Sequence, residues 1–89
     1  MTKATKAPDL GALQAAVKQI ETMNHDSGRG LLVEEMAAAG ARIAERPKGS
    51  GVLHIVHLGI TCQTTAGLAN GLTVWAQKAR RAIRQAGAL

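Results

Sequence analysis

The sequence predicts an α+β, mainly helical domain with the element order helix, helix, strand, helix. Two segments in the N-terminal half place apolar residues at the spacing of an amphipathic helix, and an alanine-rich segment near the C-terminus repeats that spacing. Before that last segment, residues 52–60 are rich in β-branched residues and apolar at consecutive positions, as in a buried strand. The alternative is an all-α small helical bundle, in which residues 52–60 form a short buried helix.

The length of the chain indicates one domain. Its 89 residues are too few for two hydrophobic cores that each offset the entropy of ordering the chain. Residues 1–8 carry two lysines and no apolar run, so we expect a flexible basic N-terminal arm, followed by a single small domain at residues 9–89. The arm lacks the features of a signal peptide or a membrane anchor, and we therefore expect a cytoplasmic protein that does not contact a membrane.

The first two helices are predicted from their caps and their apolar stripes. Asp9 can cap a helix that continues to about Asn24. Glycines and small polar residues at 25–30 favour a turn, and a second helix is expected from about residue 31 to residue 46. Pro47 disfavours helix at the residue before it, so the second helix ends there. We expect these two helices to form an antiparallel hairpin.

An uncharged stretch at residues 49–77 indicates burial in the fold or in an interface. Within it, the predicted strand at 52–60 finds no second strand in the sequence, and an unpaired apolar strand would leave backbone polar groups exposed. We therefore expect the strand to pair with its copy in a homodimer. The residues expected in the core or the dimer interface are Val52, Leu53, Ile55, Val56, Leu58, Leu68, Leu72, Trp75 and Ile83.

The C-terminal half is strongly basic. Residues 46–89 carry six bases and no acid, whereas residues 1–45 are near neutral. A third helix, predicted from Thr64 or Thr65 to about Gln85, holds four of these bases, and three of them form an arginine face. The predicted partner-binding residues are Lys78, Arg80, Arg81 and Arg84 on this helix and Arg46 and Lys48 in the loop after the second helix.

Catalytic and metal-binding patterns are weak in this sequence. His54 and His57 would point to opposite faces of a strand, so they do not form a zinc site with Cys62. Pairing of Cys62 with His57, or of Ser50 with His54, lacks both a recognised motif and a third residue that would orient the base. We therefore expect no enzyme activity, no cofactor and no metal site.

These observations favour a non-enzymatic protein–protein interaction module, a small regulator or inhibitor that binds a larger partner protein. The alternative is a small basic DNA- or RNA-binding protein that uses the C-terminal arginine face, which is compatible with an isoelectric point near 10.2. The sequence contains no Phe or Tyr with which to stack on bases, and this weakens the nucleic-acid alternative.

Overall fold

Three helices and a three-stranded antiparallel sheet form the computed structural model, which describes residues 10–87. In chain order the elements are α1 (Leu10–Met23), α2 (Arg29–Ala38), β1 (Arg42–Glu45), β2 (Leu53–His57), β3 (Ile60–Thr64) and α3 (Leu68–Gly87). The predicted α+β, mainly helical class is confirmed, and the all-α alternative is wrong. The predicted arm at residues 1–8 lies outside the described residues.

The second helix is shorter than the prediction of residues 31–46. Gly40 ends it by adopting a left-handed conformation, with φ of 101°. The N–H of Gly40 donates to the carbonyl of Ala37 at 3.0 Å, and the N–H of Ala41 donates to that of Met36 at 2.9 Å. This pair of bonds is the Schellman closure of a helix C-terminus. The chain beyond Gly40 is therefore free to form β1.

The predicted strand is paired inside the chain, not with a second copy. β2 lies between β1 and β3 and is antiparallel to both, so the prediction that no other segment forms a strand is wrong. Residues 52–60 are divided by a two-residue turn at Leu58 and Gly59, whose φ angles are 51° and 80°. Two positive φ angles are typical of a type I′ hairpin turn. Leu58 is an unusual residue there, so the sequence carries no clear turn signal.

The third helix begins at Leu68, later than predicted. Thr64, one of the two predicted starts, belongs to β3, and its hydroxyl donates to the side chain of Asn70 at 2.7 Å. Gly67 has a φ of 98°, which is outside the helical region, and its carbonyl accepts the N–H of Gly71 at 2.9 Å. Helical geometry therefore starts only after Gly67.

The core lies where α3 contacts both the sheet and α1. The helix α1 packs mainly on α3 and makes a smaller contact with α2, with which the sequence predicts an antiparallel hairpin. Trp75 is fully buried at the centre, and its indole N–H lies 3.2 Å from the carbonyls of both His57 and Ile60. The buried apolar residues are Leu13, Ala16, Val17, Ile20, Leu32, Met36, Ile55, Cys62, Leu72, Trp75, Ala76 and Ala79.

The end of α1 is attached to α3 by Asn24. Its amide nitrogen donates to the carbonyl of Ala69 at 3.0 Å, and its amide oxygen accepts from Arg29 at 2.9 Å. One half-buried side chain thus connects α1, α2 and α3. None of the helices in residues 10–87 combines the length and the apolar character needed to cross a lipid bilayer.

Replacement of Trp75 tests the centre of the core. Trp75→Ala should lower the free energy of unfolding by about 3–5 kcal/mol, because it removes a fully buried ring. Trp75→Phe keeps much of the apolar contact but loses the indole donor, so its effect should be smaller. Urea denaturation followed by circular dichroism measures both. A cost below about 1 kcal/mol for the alanine variant would contradict the central position of the ring.

Gly71 tests the close packing of α3 on the sheet. A Cβ atom at this position would lie 3.0 Å from Ile55 Cδ1 and 3.0 Å from Thr64 Cγ2, whereas one at Gly30 in α2 would meet nothing within 4 Å. Gly30→Ala should stabilise the fold by about 0.5–1 kcal/mol through helix propensity alone. Gly71→Ala should be less favourable than this control by roughly 1 kcal/mol or more, because the added methyl group overpacks the contact. Equal stabilisation by both variants in thermal melting would contradict this packing.

The buried imidazole of His57 predicts a loss of stability in acid. Its side chain is 4% exposed, its ring lies 5.2 Å from that of Trp75, and its Nδ1 atom has no hydrogen-bond partner within residues 10–87. Burial lowers the pKa of His57 below its ordinary value of 6.5. Below pH 6.5 the unfolded chain therefore binds a proton that the folded chain does not, and unfolding is favoured.

The pH effect can be isolated by comparison with His57→Gln. The stability advantage of the unchanged protein over this variant should shrink as the pH falls below 6.5, by at most about 1.4 kcal/mol per pH unit. His54→Gln is the matched control, since that side chain lies on the other face of the same strand. Urea midpoints between about pH 5 and pH 8 provide the measurement. A constant difference over this range would show that His57 is not held neutral by burial.

Candidate functional site

The sheet has one face that α3 does not cover. Ile55 of β2 and Cys62 of β3 are buried against α3, and Ile43 of β1 is half-buried. Successive side chains of a strand point to opposite faces, so the residues next to these three in their strands lie on the opposite face of the sheet. We call this surface the outer sheet face. Its members are Arg42, Ala44, Arg46, His54, Val56, Thr61 and Gln63.

Strand register arranges these side chains in rows across the sheet. One row runs from Arg42 through Val56 to Thr61, and the next runs from Ala44 through His54 to Gln63. The backbone N–H of Arg46 donates to the carbonyl of Val52 at 2.9 Å and extends the ladder by one more step. The two arginines therefore lie on the β1 side, and the side chains of His54, Val56, Thr61 and Gln63 lie on β2 and β3.

A shallow groove of about 240 Å³ occupies the β1 side of the outer sheet face. It is lined by two arginines, a histidine, two small residues and a valine, namely Arg42, Arg46, His54, Gly40, Ala44 and Val56. Both arginines are exposed, and no acidic residue in the described part of the chain lines the groove. The small residues leave open space between the basic side chains. This arrangement suits an anionic group.

The nearest acid along the strand is Glu45, and its carboxylate is bound by the loop between β1 and β2. The N–H groups of Gly49 and Gly51 donate to its two oxygens at 2.9 and 2.7 Å. These bonds fold the loop back on β1 and leave Lys48 exposed near its tip. Glu45 is the only acid between Arg42 and Lys48, and both of its oxygens already accept hydrogen bonds from the loop.

The bases predicted on α3 have different neighbours. Arg80 forms an ion pair with Glu21 of α1, whereas Arg81 lines a depression of about 220 Å³ beside the β2–β3 turn. Arg84 is exposed in the last turn of the helix. Successive helix residues are about 100° apart, so Arg84 lies between Arg80 and Arg81 around the helix axis, and the three side chains fall within an arc of about 100°. The use of this side of α3 by a partner stays a prediction.

Lys78 lies at the other edge of the sheet from β1. Its ammonium group donates to the carbonyl of Thr61 in β3 at 2.6 Å and remains exposed. Arg81 lines the same depression as Lys78 and Thr61. The six predicted partner-binding bases are consequently divided between the β1–β2 loop, the β3 edge, the α1 contact and the end of α3.

Two residues of the groove were missed by the sequence analysis. Arg42 falls within residues 31–46, which the sequence predicts as the second helix, and His54 is considered there only as a metal ligand or a base. Gly40 was the available signal, because a glycine followed by charged and apolar residues in alternation fits a helix stop and a short strand. Four residues of alternation are too short to distinguish from an amphipathic helix.

The residues expected in the core or a dimer interface differ widely in burial. Ile55, Leu72 and Trp75 are fully buried. Five others are half-buried, namely Val52, Leu53, Leu58, Leu68 and Ile83. Val56 is 39% exposed on the outer sheet face and is not a core residue. The homodimer remains a prediction, but the argument from an unpaired strand no longer supports it because β2 is paired on both sides.

The geometry does not favour nucleophilic chemistry at Cys62. The thiol is buried and lies 3.5 Å from the carbonyl of Gly71, to which it donates. Burial raises the pKa of Cys62, while the positive charge of Lys78 acts in the opposite direction with a smaller effect. A thiol with a raised pKa carries little of the reactive thiolate at neutral pH.

Within residues 10–87, no three His, Cys, Asp or Glu residues lie close enough together to hold a metal ion.

Known proteins provide no functional assignment for this chain. Comparison with protein-family models gives no match, and comparison with curated proteins and with solved structures gives none either.

Proposed function

We propose that this chain is a non-enzymatic binding domain for nucleic acid and that the outer sheet face is its contact surface. The observation that carries the proposal is the groove in which Arg42, Arg46 and His54 surround open space without an acidic neighbour among the described lining residues. The chain has a net charge of +5, which adds long-range attraction for a polyanion. This proposal reverses the order of preference that the sequence supports.

Arginine chemistry favours phosphate as the anion. A guanidinium group presents a planar set of donors that matches two phosphate oxygens at once, and it stays charged at any physiological pH. Arg42 and Arg46 are exposed and four residues apart along an extended chain, so they span about 13 Å. Two such side chains reach two separate phosphates along a nucleic-acid backbone.

A larger, acidic protein partner is the second candidate. The paired residues His57 and Ile60 close a two-residue hairpin, so the backbone groups of Thr61 and Gln63 point away from β2. Lys78 already donates to the carbonyl of Thr61, so an extended acidic segment that adds to this edge beside Arg81 would have to displace that contact. Support from apolar surface is weak, because the exposed large hydrophobic residues within 10–87 are Leu10, Leu31 and Val56.

The salt dependence of binding tests the proposed function. The measurement is fluorescence anisotropy of labelled random-sequence duplex and single-stranded DNA, between about 50 and 200 mM salt. Arg42→Ala with Arg46→Ala should reduce the slope of log affinity against log salt by roughly 2, since each lost phosphate contact contributes about 0.9. The free energy of unfolding should change by no more than about 0.5 kcal/mol, because both side chains are exposed.

A matched control removes the same charge from another surface. Arg80→Ala with Arg84→Ala lowers the net charge equally, but these side chains lie on α3 away from the groove. Its effect on the slope should be clearly smaller. An equal effect of both double variants would show that only total charge matters. Failure of the unchanged protein to bind any nucleic acid at low salt would reject the proposal. Binding of an acidic partner protein would then be the remaining candidate function.

A further inference from the structure

We infer that the nucleic acid is duplex DNA and that the outer sheet face enters its major groove, with the β1 arginines on phosphates and the polar side chains of β2 and β3 on base edges. This inference rests on the nucleic-acid binding proposed above.

The outer sheet face offers little aromatic surface for stacking on unpaired bases. The whole sequence has no Phe or Tyr, and its one tryptophan, Trp75, is fully buried in the core. Among the described lining residues of the groove, the only ring is the half-buried imidazole of His54, and the two arginines supply the other planar groups. Proteins that bind single strands generally combine a basic groove with several aromatic side chains on which bases stack. A duplex, whose bases remain stacked on each other, therefore suits this surface better.

The rows across the sheet place side chains that can contact base edges on β2 and β3, apart from the arginines that would bind phosphates. His54 lies directly opposite Gln63, and Val56 lies directly opposite Thr61. Glutamine can pair with adenine through two hydrogen bonds, histidine and threonine offer single bonds, and valine can contact the methyl group of thymine. None of these four side chains has the guanidinium or ammonium group that typically binds phosphate, so they suit contacts with base edges better.

The dimensions favour B-form DNA over duplex RNA. The B-form major groove is about 12 Å wide and admits two β-strands side by side, and neighbouring strands of the sheet are about 4.8 Å apart. The polar strands β2 and β3 therefore fit the groove, and β1 lies at its border. The major groove of A-form RNA is too narrow and deep for side chains to read. Positively charged side chains lie at both sides of the polar rows. Arg42 in β1 and Arg46 just after it are on one side, and Lys78 and Arg81 are beside the β3 edge on the other. Two phosphate backbones border a groove in the same way.

The first test compares three probes of one sequence in the same buffer: duplex DNA, single-stranded DNA and duplex RNA. Duplex DNA should bind most tightly. Repeated selection from a randomised duplex DNA pool should then enrich a short common sequence. Equal or tighter binding of single-stranded DNA or of duplex RNA overturns this inference and leaves the proposed function standing. A lack of binding to all three probes rejects both.

The second test separates base contacts from phosphate contacts on the selected duplex. Gln63→Ala should reduce discrimination at one base pair by about fivefold or more and leave the salt slope unchanged. Arg42→Ala should lower the salt slope by about 0.9 and leave the base preference unchanged. Gln77→Ala, an exposed glutamine on α3, is the matched control and should change neither. Retention of the full base preference by Gln63→Ala together with His54→Ala, with unchanged melting, overturns the assignment of these side chains.

Discussion

The hydrogen bonds of the Trp75 indole determine how this small domain is assembled. The single N–H group lies within reach of the carbonyls of His57 and Ile60, the two residues that flank the β2–β3 turn. A buried indole needs such an acceptor, and the turn supplies two of them at one point. Because the ring belongs to α3, this contact places the helix against one particular face of the hairpin. A shift of one residue in strand register would exchange the faces of the sheet.

Close packing around this contact requires small residues on α3. Gly71 faces Ile55 and Thr64 so closely that a Cβ atom at this position would be crowded. Ala76 and Ala79, on the same helix as Trp75, are also buried. A core with one large ring can exclude water only if the backbones approach closely. The small side chains of α3 provide that approach. The middle of the inner face, at Ile55 and Cys62, therefore belongs to the core, and the outer sheet face is left to solvent or to a partner.

The candidate site depends on where α2 stops. Once Gly40 closes the helix, Arg42 falls on an extended strand in register with Val56, and Arg46 falls two steps further on the same face. Glu45 alternates with them, and its carboxylate holds the loop amides of Gly49 and Gly51. Local backbone chemistry thus separates the acid from the bases of one short segment. The result is a basic surface in a part of the sequence whose charges look mixed.

Periodicity and composition determined the fold class, the basic C-terminal half and the approximate extents of α1 and α3. These features depend on patterns that repeat over many residues, and long patterns are well specified by sequence alone. Strand pairing was decided only in the tertiary structure, because β1 and β3 are short and polar on one side and gain their stability from β2 and α3. The same reason applies to the site: Arg42, His54 and Gln63 lie far apart in the chain and come together only through the register of the sheet.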